Sequence, residues 1–182
     1  MSSTIRITDT LHPAPHATLR AFTDTSKPPT SIHHIWIEQT WDPPSPCTPI
    51  LNVPLHWHAH HDESLEILSG AMEIYHHGAR HVVTPSSGIV TAKRGSVHGF
   101  RSFPGVRVVI KETASPAGDY KVAFFRDVSQ TGDGEPGFWL VARVAFDHDL
   151  YPWVGRWNWV DWLVSSGGGM FDRAGAVLTS WL

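Results

Sequence analysis

The chain has 182 residues, 41% of them hydrophobic, a formal net charge of −3 and a pI near 6.5. That length suits one domain with extensions, and the hydrophobic share suffices for a core. The charge balance argues against a nucleic-acid groove, and no apolar stretch is long enough to span a bilayer.

The N-terminus lacks an apolar run flanked by positive charge, so no secretory leader is expected. The single Cys47 cannot form an internal disulfide, which fits a reducing, cytoplasmic setting. With 13 histidines, the net charge should become more positive below about pH 6.5.

Residues 1–30 are rich in Ser, Thr and Pro, and Ile5 and Ile7 alternate with polar residues. They read as an N-terminal arm, loosely packed, with a short edge strand. His12 and His16 flank prolines and read as solvated loop residues. Ser31–Trp41 is β-rich and predicts a strand, with His33 and His34 on its surface. The prolines at 43, 44, 46 and 49 forbid a central strand and mark a loop.

From Leu51 to Thr113 short apolar runs alternate with turn signals at Ser69-Gly70, His77-Gly78, Pro85 to Gly88, Gly95 and Pro104-Gly105. Met72, Ile74, Val82, Val83, Ile89, Val90, Val106, Val108 and Ile110 are expected to face inward. Many short strands with Gly and Pro turns argue for an all-β sandwich or jelly roll over 31–118.

Beyond Ala114 to Gly118 the pattern changes. Tyr120 to Ser129 and Phe138 to Phe146 are expected to be helical, since Phe138, Val141, Ala142 and Ala145 fall on helical spacing. Trp153, Trp157, Trp159 and Trp162 crowd one stretch. A glycine hinge at 167–169 follows, and Phe171, Ala174, Leu178 and Trp181 predict a final amphipathic helix. Residues 119–182 therefore read as a helical, Trp-rich extension. Packing against the barrel is its plainest use; a lid, a dimer contact or an interfacial anchor are alternatives.

The run from Pro54 to Gly70 carries the chemistry. It holds His56, His58, His60 and His61 with Asp62, Glu63 and Glu66, a set that is costly to bury unless something binds it. On a strand, His56 and His58 share a face, and Glu63 shares the inward parity of Leu65 and Ile67. Asp62 and Glu66 have outward parity. Two neutral imidazoles and a carboxylate converging in an apolar shell make a metal site. Downstream, Arg94-Gly95-Ser96 reads as a tight turn from which His98 opens a strand, with Phe100 and Ser102 on its face.

Here the chain resembles the cupin superfamily. His56-x-His58-x4-Glu63-x6-Gly70 matches the first motif of that family, and Gly95-x2-His98 matches the core of the second. The second departs from the pattern: Lys93 stands where the usual proline falls, the leading glycine is displaced to Gly88, and Ser102 replaces the trailing asparagine. The resemblance covers roughly residues 50 to 113. It implies a cupin jelly-roll barrel with the C-terminal helices packed on the outside. It implies one divalent metal, Fe, Mn, Ni, Cu or Zn, on His56, His58, Glu63 and His98. Some cupins bind no metal, so a polar network left from a lost site is the alternative.

His60 has the parity of His56 and His58 and is kept as a neighbour of the ligands; His61 is expected to be exposed. Met72 and Phe100 are candidates for the pocket wall, Phe124 and Phe125 for one end of it. Trp57 should face away from the metal, and Arg101 has outward parity. His76, His77 and His81 surround a turn and read as surface.

The whole chain is also similar to small cupin proteins of filamentous fungi. The cues are the His-Trp-His-x-His-His-Asp-Glu opening, Phe124 to Asp127, and Asp161-Trp162-Leu163. That likeness implies tailoring of secondary metabolites, often polyketide or aromatic. Such a site suits an oxygenase acting on a phenolic or enolised small molecule, with Glu63 as ligand or base. A non-oxidative isomerase, cyclase or dehydratase, and a non-catalytic binding protein, are the other readings. A small-molecule substrate is the expected partner. The oligomeric state is left open, with a homodimer through sheet edges implied by the family.

Overall fold

The computed structural model describes residues 4–129 and 138–153. Trp157, Trp159, Trp162, Asp161-Trp162-Leu163, the glycines at 167–169 and the final helix expected around Phe171 to Trp181 lie outside the described residues.

Among the described residues eleven strands and two α-helices follow in order: β1 (Ile5–Leu11), β2 (Ala17–Asp24), β3 (Ile35–Trp41), β4 (Asn52–Trp57), β5 (Asp62–Ser69), β6 (Met72–His76), β7 (Ala79–Val83), β8 (Ile89–Ala92), β9 (His98–Ser102), β10 (Val108–Ser115), α1 (Tyr120–Ser129), α2 (Phe138–Asp147) and β11 (Tyr151–Pro152). One sheet runs β1-β2-β3-β10-β5-β8, the other β11-β4-β9-β6-β7. Every pairing is antiparallel. Consecutive strands β8, β9 and β10 alternate between the sheets, as a jelly roll requires.

Alternation fills the space between the sheets. On β5, Glu63, Leu65 and Ile67 are buried while Asp62, Ser64 and Glu66 are half-buried. Leu65, Ile67, Met72, Ile74, Phe100 and Ile110 belong to one core cluster with Trp41 and Val108. Met72 is wholly buried there, in the packed core. Gly70 turns β5 into β6 with φ +80°, and a Cβ there would strike the carbonyl oxygen of Arg107. Only glycine meets both demands.

Three expectations are corrected. The first thirty residues are not a loose arm: β1 is an edge strand, but β2 is paired on both sides, with β1 and β3. Val82 and Ile89 do not face inward; they are 63% and 59% exposed. Alternation explains Val82, since its neighbour Val83 takes the inward position on the edge strand β7. Ile89 starts another edge strand, β8 of the other sheet, where Ala92 is buried instead.

The helices form where expected and flank the barrel. Val122 of α1 packs with Leu19, Ala21 and Ile37. Phe124 of α1 packs with Val144, Ala145 and Leu150 at the end of α2. Chain returning from α2 adds β11 beside β4, where Tyr151 stacks on Trp57 with ring centroids 4.5 Å apart. Trp57 is thus a sheet-packing residue, as its parity requires.

Candidate metal centre

β4 and β9 bring the first two imidazoles together. His56 and His98 are direct partners in the ladder, with ring centroids 4.3 Å apart. A register irregularity between Val53 and His56 swells β4 just before the site. His58 lies one residue past the end of β4, and Glu63 enters from β5. His56, His58, His98 and Glu63 are at most 1% exposed, and their ligand atoms lie within 4.8 Å of one another. The structure therefore brings all four predicted side chains together.

Each imidazole is oriented from behind. The Nδ1 of His56 lies 2.9 Å from the Pro54 carbonyl, that of His98 2.9 Å from the Ser96 carbonyl, and that of His58 2.6 Å from the Asp149 carbonyl. A carbonyl only accepts, so each Nδ1 carries the proton and each neutral ring turns the Nε2 lone pair to the centre. This backing by carbonyls is the usual second layer of a metal site.

The inward atoms then pose a problem that a cation solves. Glu63 Oε2 lies 2.8 Å from His98 Nε2, 3.7 Å from His58 Nε2 and 3.9 Å from His56 Nε2. Two lone-pair donors at the shortest of these separations repel unless a cation lies between them. Adjacent ligands on one ion, each about 2.1 Å from it, stand about 3 Å apart at a right angle. The His58 Nε2 atom is buried and makes no hydrogen bond among the described residues. The four residues fit a divalent metal.

Burial, reinforced by the neighbouring imidazoles, holds His56 well below its ordinary pKa. Burial pushes His58 down to about 4, against the opposing pull of Glu63. Both therefore stay neutral and ready to ligate. Burial alone would raise Glu63, but the Lys121 ammonium beside it outweighs that and holds its pKa well below the usual range. Glu63 stays a carboxylate, which suits a ligand better than a proton carrier.

Lys121, from the first turn of α1, reaches into this centre. Its Nζ is 2.6 Å from Glu63 Oε1 and 3.5 Å from Glu112 Oε2. Burial would lower its pKa, but the two carboxylates hold it above the ordinary value. Glu112, on the inward parity of β10, is pushed up to about 7 by burial and by Glu63, against the opposing charge of Lys121. A cavity of about 20 Å³, room for one water, is lined by His61, Glu63, Glu112 and Lys121 among others. Glu112 and Lys121 also line a second cavity of about 140 Å³, walled by Trp41, Phe100, Phe124 and Phe125. Phe100, Phe124 and Phe125 are thus pocket wall.

The two neighbouring histidines exchange roles. His60 is exposed, and its backbone N–H, not its ring, is engaged, donating to Asp149. His61 is 1% exposed rather than at the surface. Its Nδ1 lies 2.7 Å from Asp149 Oδ2, and its ring stacks on Tyr120 at 4.4 Å. Arg101 is exposed and pairs with Glu73, and His12, His16, His33, His77 and His81 are exposed as expected, but His34 and His76 are half-buried rather than at the surface.

Sequence reading missed Lys121, Glu112, Asp149 and His61. Glu112 could have been found from its parity with Val108 and Ile110, and His61 from its parity with Glu63. Lys121 and Asp149 carry no local signal; only the tertiary fold brings them in.

No family model and no curated protein matches the sequence. Similar solved structures include KdgF from Halomonas sp., 18% identical over 61% of this chain and 88% of that one, with a TM-score of 0.44. The polyketide cyclase RemF from Streptomyces resistomycificus is 24% identical over 54% of this chain and 64% of that one, with a TM-score of 0.40. A predicted oxalate decarboxylase from Thermotoga maritima is 14% identical over 60% and 93%, with a TM-score of 0.42. Likenesses this distant say nothing about reaction, and the fold rests on the strand order itself. Two antiparallel sheets closed around three histidines and a glutamate give this chain a cupin jelly-roll fold.

Proposed function

We propose that the protein is a metal-dependent cupin enzyme that oxygenates a phenolic or enolised small molecule. The supporting observation is the meeting of three oriented Nε2 atoms and one carboxylate, with Lys121 reaching from Glu63 to the wall of an apolar cavity. His56, His58, His98 and Glu63 would hold the metal, which supplies Lewis acidity to an acidic substrate oxygen and, where redox-active, a partner for dioxygen. Trp41, Phe100, Phe124 and Phe125 exclude water and hold the carbon skeleton. The biological role we take from the resemblance is tailoring of polyketide or aromatic secondary metabolites in a filamentous fungus.

One observation favours a second reading, a non-oxidative isomerase, cyclase or dehydratase in the same pocket. Glu112, at about 7, can hold or release a proton near neutrality, and it faces the cavity.

Turnover of simple phenols and β-diketones, with and without dioxygen, separates the readings. Oxygen uptake stoichiometric with product and lost in His58→Ala supports oxygenation. Equal turnover without oxygen excludes it and selects the second reading. Binding that survives metal removal, with no turnover, selects a carrier.

A further inference from the structure

The 140 Å³ cavity is apolar along most of its wall, yet Lys121 and Glu112 also line it. Lys121 is the only cation on that wall among the described residues. Its side chain is 15% exposed. Two carboxylates occupy two sides of its ammonium, which has three N–H donors. Three donors and two ion-pair partners leave room for an acceptor from the cavity that Lys121 lines.

One fixed cation on an otherwise apolar wall matches a ligand with one acidic oxygen. Size narrows the class further: an apolar cavity of roughly 150 Å³ holds a benzene ring.

We propose that Lys121, backed by Glu112, is the docking cation for the substrate, and that the substrate is an apolar, ring-sized monoanion whose acidic oxygen lies against the Lys121 ammonium. The aromatic wall takes the ring, and Lys121 fixes which end points to the metal ligands. This assignment rests on the functional reading above and adds to it the substrate class and the residue that selects it. Lys121 acts as a fixed charge here, without a change of protonation.

The test compares benzoate with its neutral isostere benzamide, on the full 182-residue chain, both chelator-treated and zinc-loaded. Wild type is expected to bind benzoate about tenfold or more tightly than benzamide in both forms, the worth of one charge-assisted hydrogen bond. Lys121→Met should bind the two equally, and Lys121→Arg should keep the preference. Equal binding by wild type, or a preference that persists in Lys121→Met, overturns the proposal. A preference seen only with zinc assigns the anion to the metal, which overturns the role of Lys121 and leaves the metal reading standing. A chain that takes no zinc but keeps the preference does the reverse. Should Lys121→Met fail to fold, the ε-carbon resonance of Lys121 in wild type decides: a shift with benzoate and none with benzamide supports the assignment, and no shift with either overturns it.

Discussion

Asp149 and His58 are 91 residues apart in sequence, yet His58 donates its Nδ1 proton to the Asp149 carbonyl at 2.6 Å. The same residue accepts the backbone N–H groups of Ala59 and His60 at 2.8 and 2.9 Å and the ring of His61 at 2.7 Å. A corner between α2 and β11 thus shapes the loop that presents a metal ligand. Its φ of +59° is one that Asp tolerates better than most residues. Asp149→Ala should lower zinc affinity about 10- to 100-fold and cost roughly 2–4 kcal/mol of stability. Chelator competition and urea unfolding measure the two; the variant keeps the carbonyl that orients His58, so unchanged affinity would show that the carboxylate's hold on residues 59–61 does not steady the ligand.

Acid should weaken the metal-free protein in a defined window. His58 titrates at about 4 when folded, and His56 lies well below its ordinary value. In the unfolded chain both take a proton near pH 6.5. Between those limits the unfolded state binds protons that the two folded imidazoles refuse, so their contribution to stability falls as pH drops from about 6.5 to about 4. His58 alone is worth on the order of 3 kcal/mol over that range. Glu112, raised to about 7, has the opposite sign over much of the same window. Urea unfolding of chelator-treated Glu112→Gln across the window therefore measures the histidine slope; a flat profile contradicts neutral, buried imidazoles.

Asp62 ties β5 to the turn before His98. Its carboxylate accepts the Arg94 backbone N–H at 3.0 Å and the Lys93 ammonium at 2.9 Å, and these hold its pKa at about 2. In the same turn the Gly95 N–H donates to the His58 carbonyl at 2.7 Å. Asp62→Asn should cost about 1 kcal/mol at neutral pH, because the basic partners are largely exposed and screened. The folded pKa is depressed, so this contribution is present above about pH 4 and fades as pH falls toward 2. A wild type and variant equally stable at pH 7 would remove Asp62 from the account.

Gly70→Ala should be among the most damaging single-methyl additions in the barrel. The backbone is left-handed there, and the added Cβ meets the Arg107 carbonyl oxygen. A loss of about 2 kcal/mol or more is expected, since both strain and overpacking act. Gly88→Ala, also at positive φ but with nothing nearby, should cost less. Thermal melts compare the pair, and an equal loss in both would mean that the close approach to Arg107 is not limiting.

Local pattern carried most of the barrel and the core of its site. Glu63, Leu65 and Ile67 of β5 are buried as a period of two demands, so counting along the strand is enough to place Glu63 inside. The histidine pair at 60 and 61 shows where such counting stops. β4 ends at Trp57, and 58–61 closes as a loop on Asp149, so parity counted forward from His56 does not reach His60. Parity counted backward from Glu63 does reach His61, which is buried. Lys121 was beyond any such count. On a helix it reads as a solvated charge, and only the seating of α1 turns it toward Glu63 and Glu112.

The chemistry depends on one metal ion held by His56, His58, Glu63 and His98. Elemental analysis of protein purified without a histidine tag, loaded with a divalent metal and dialysed, counts that ion. Wild type should hold about one ion per chain, and folded His58→Ala and His98→Ala variants near none. Wild-type protein that retains no ion, or variants that retain the full amount, would contradict it.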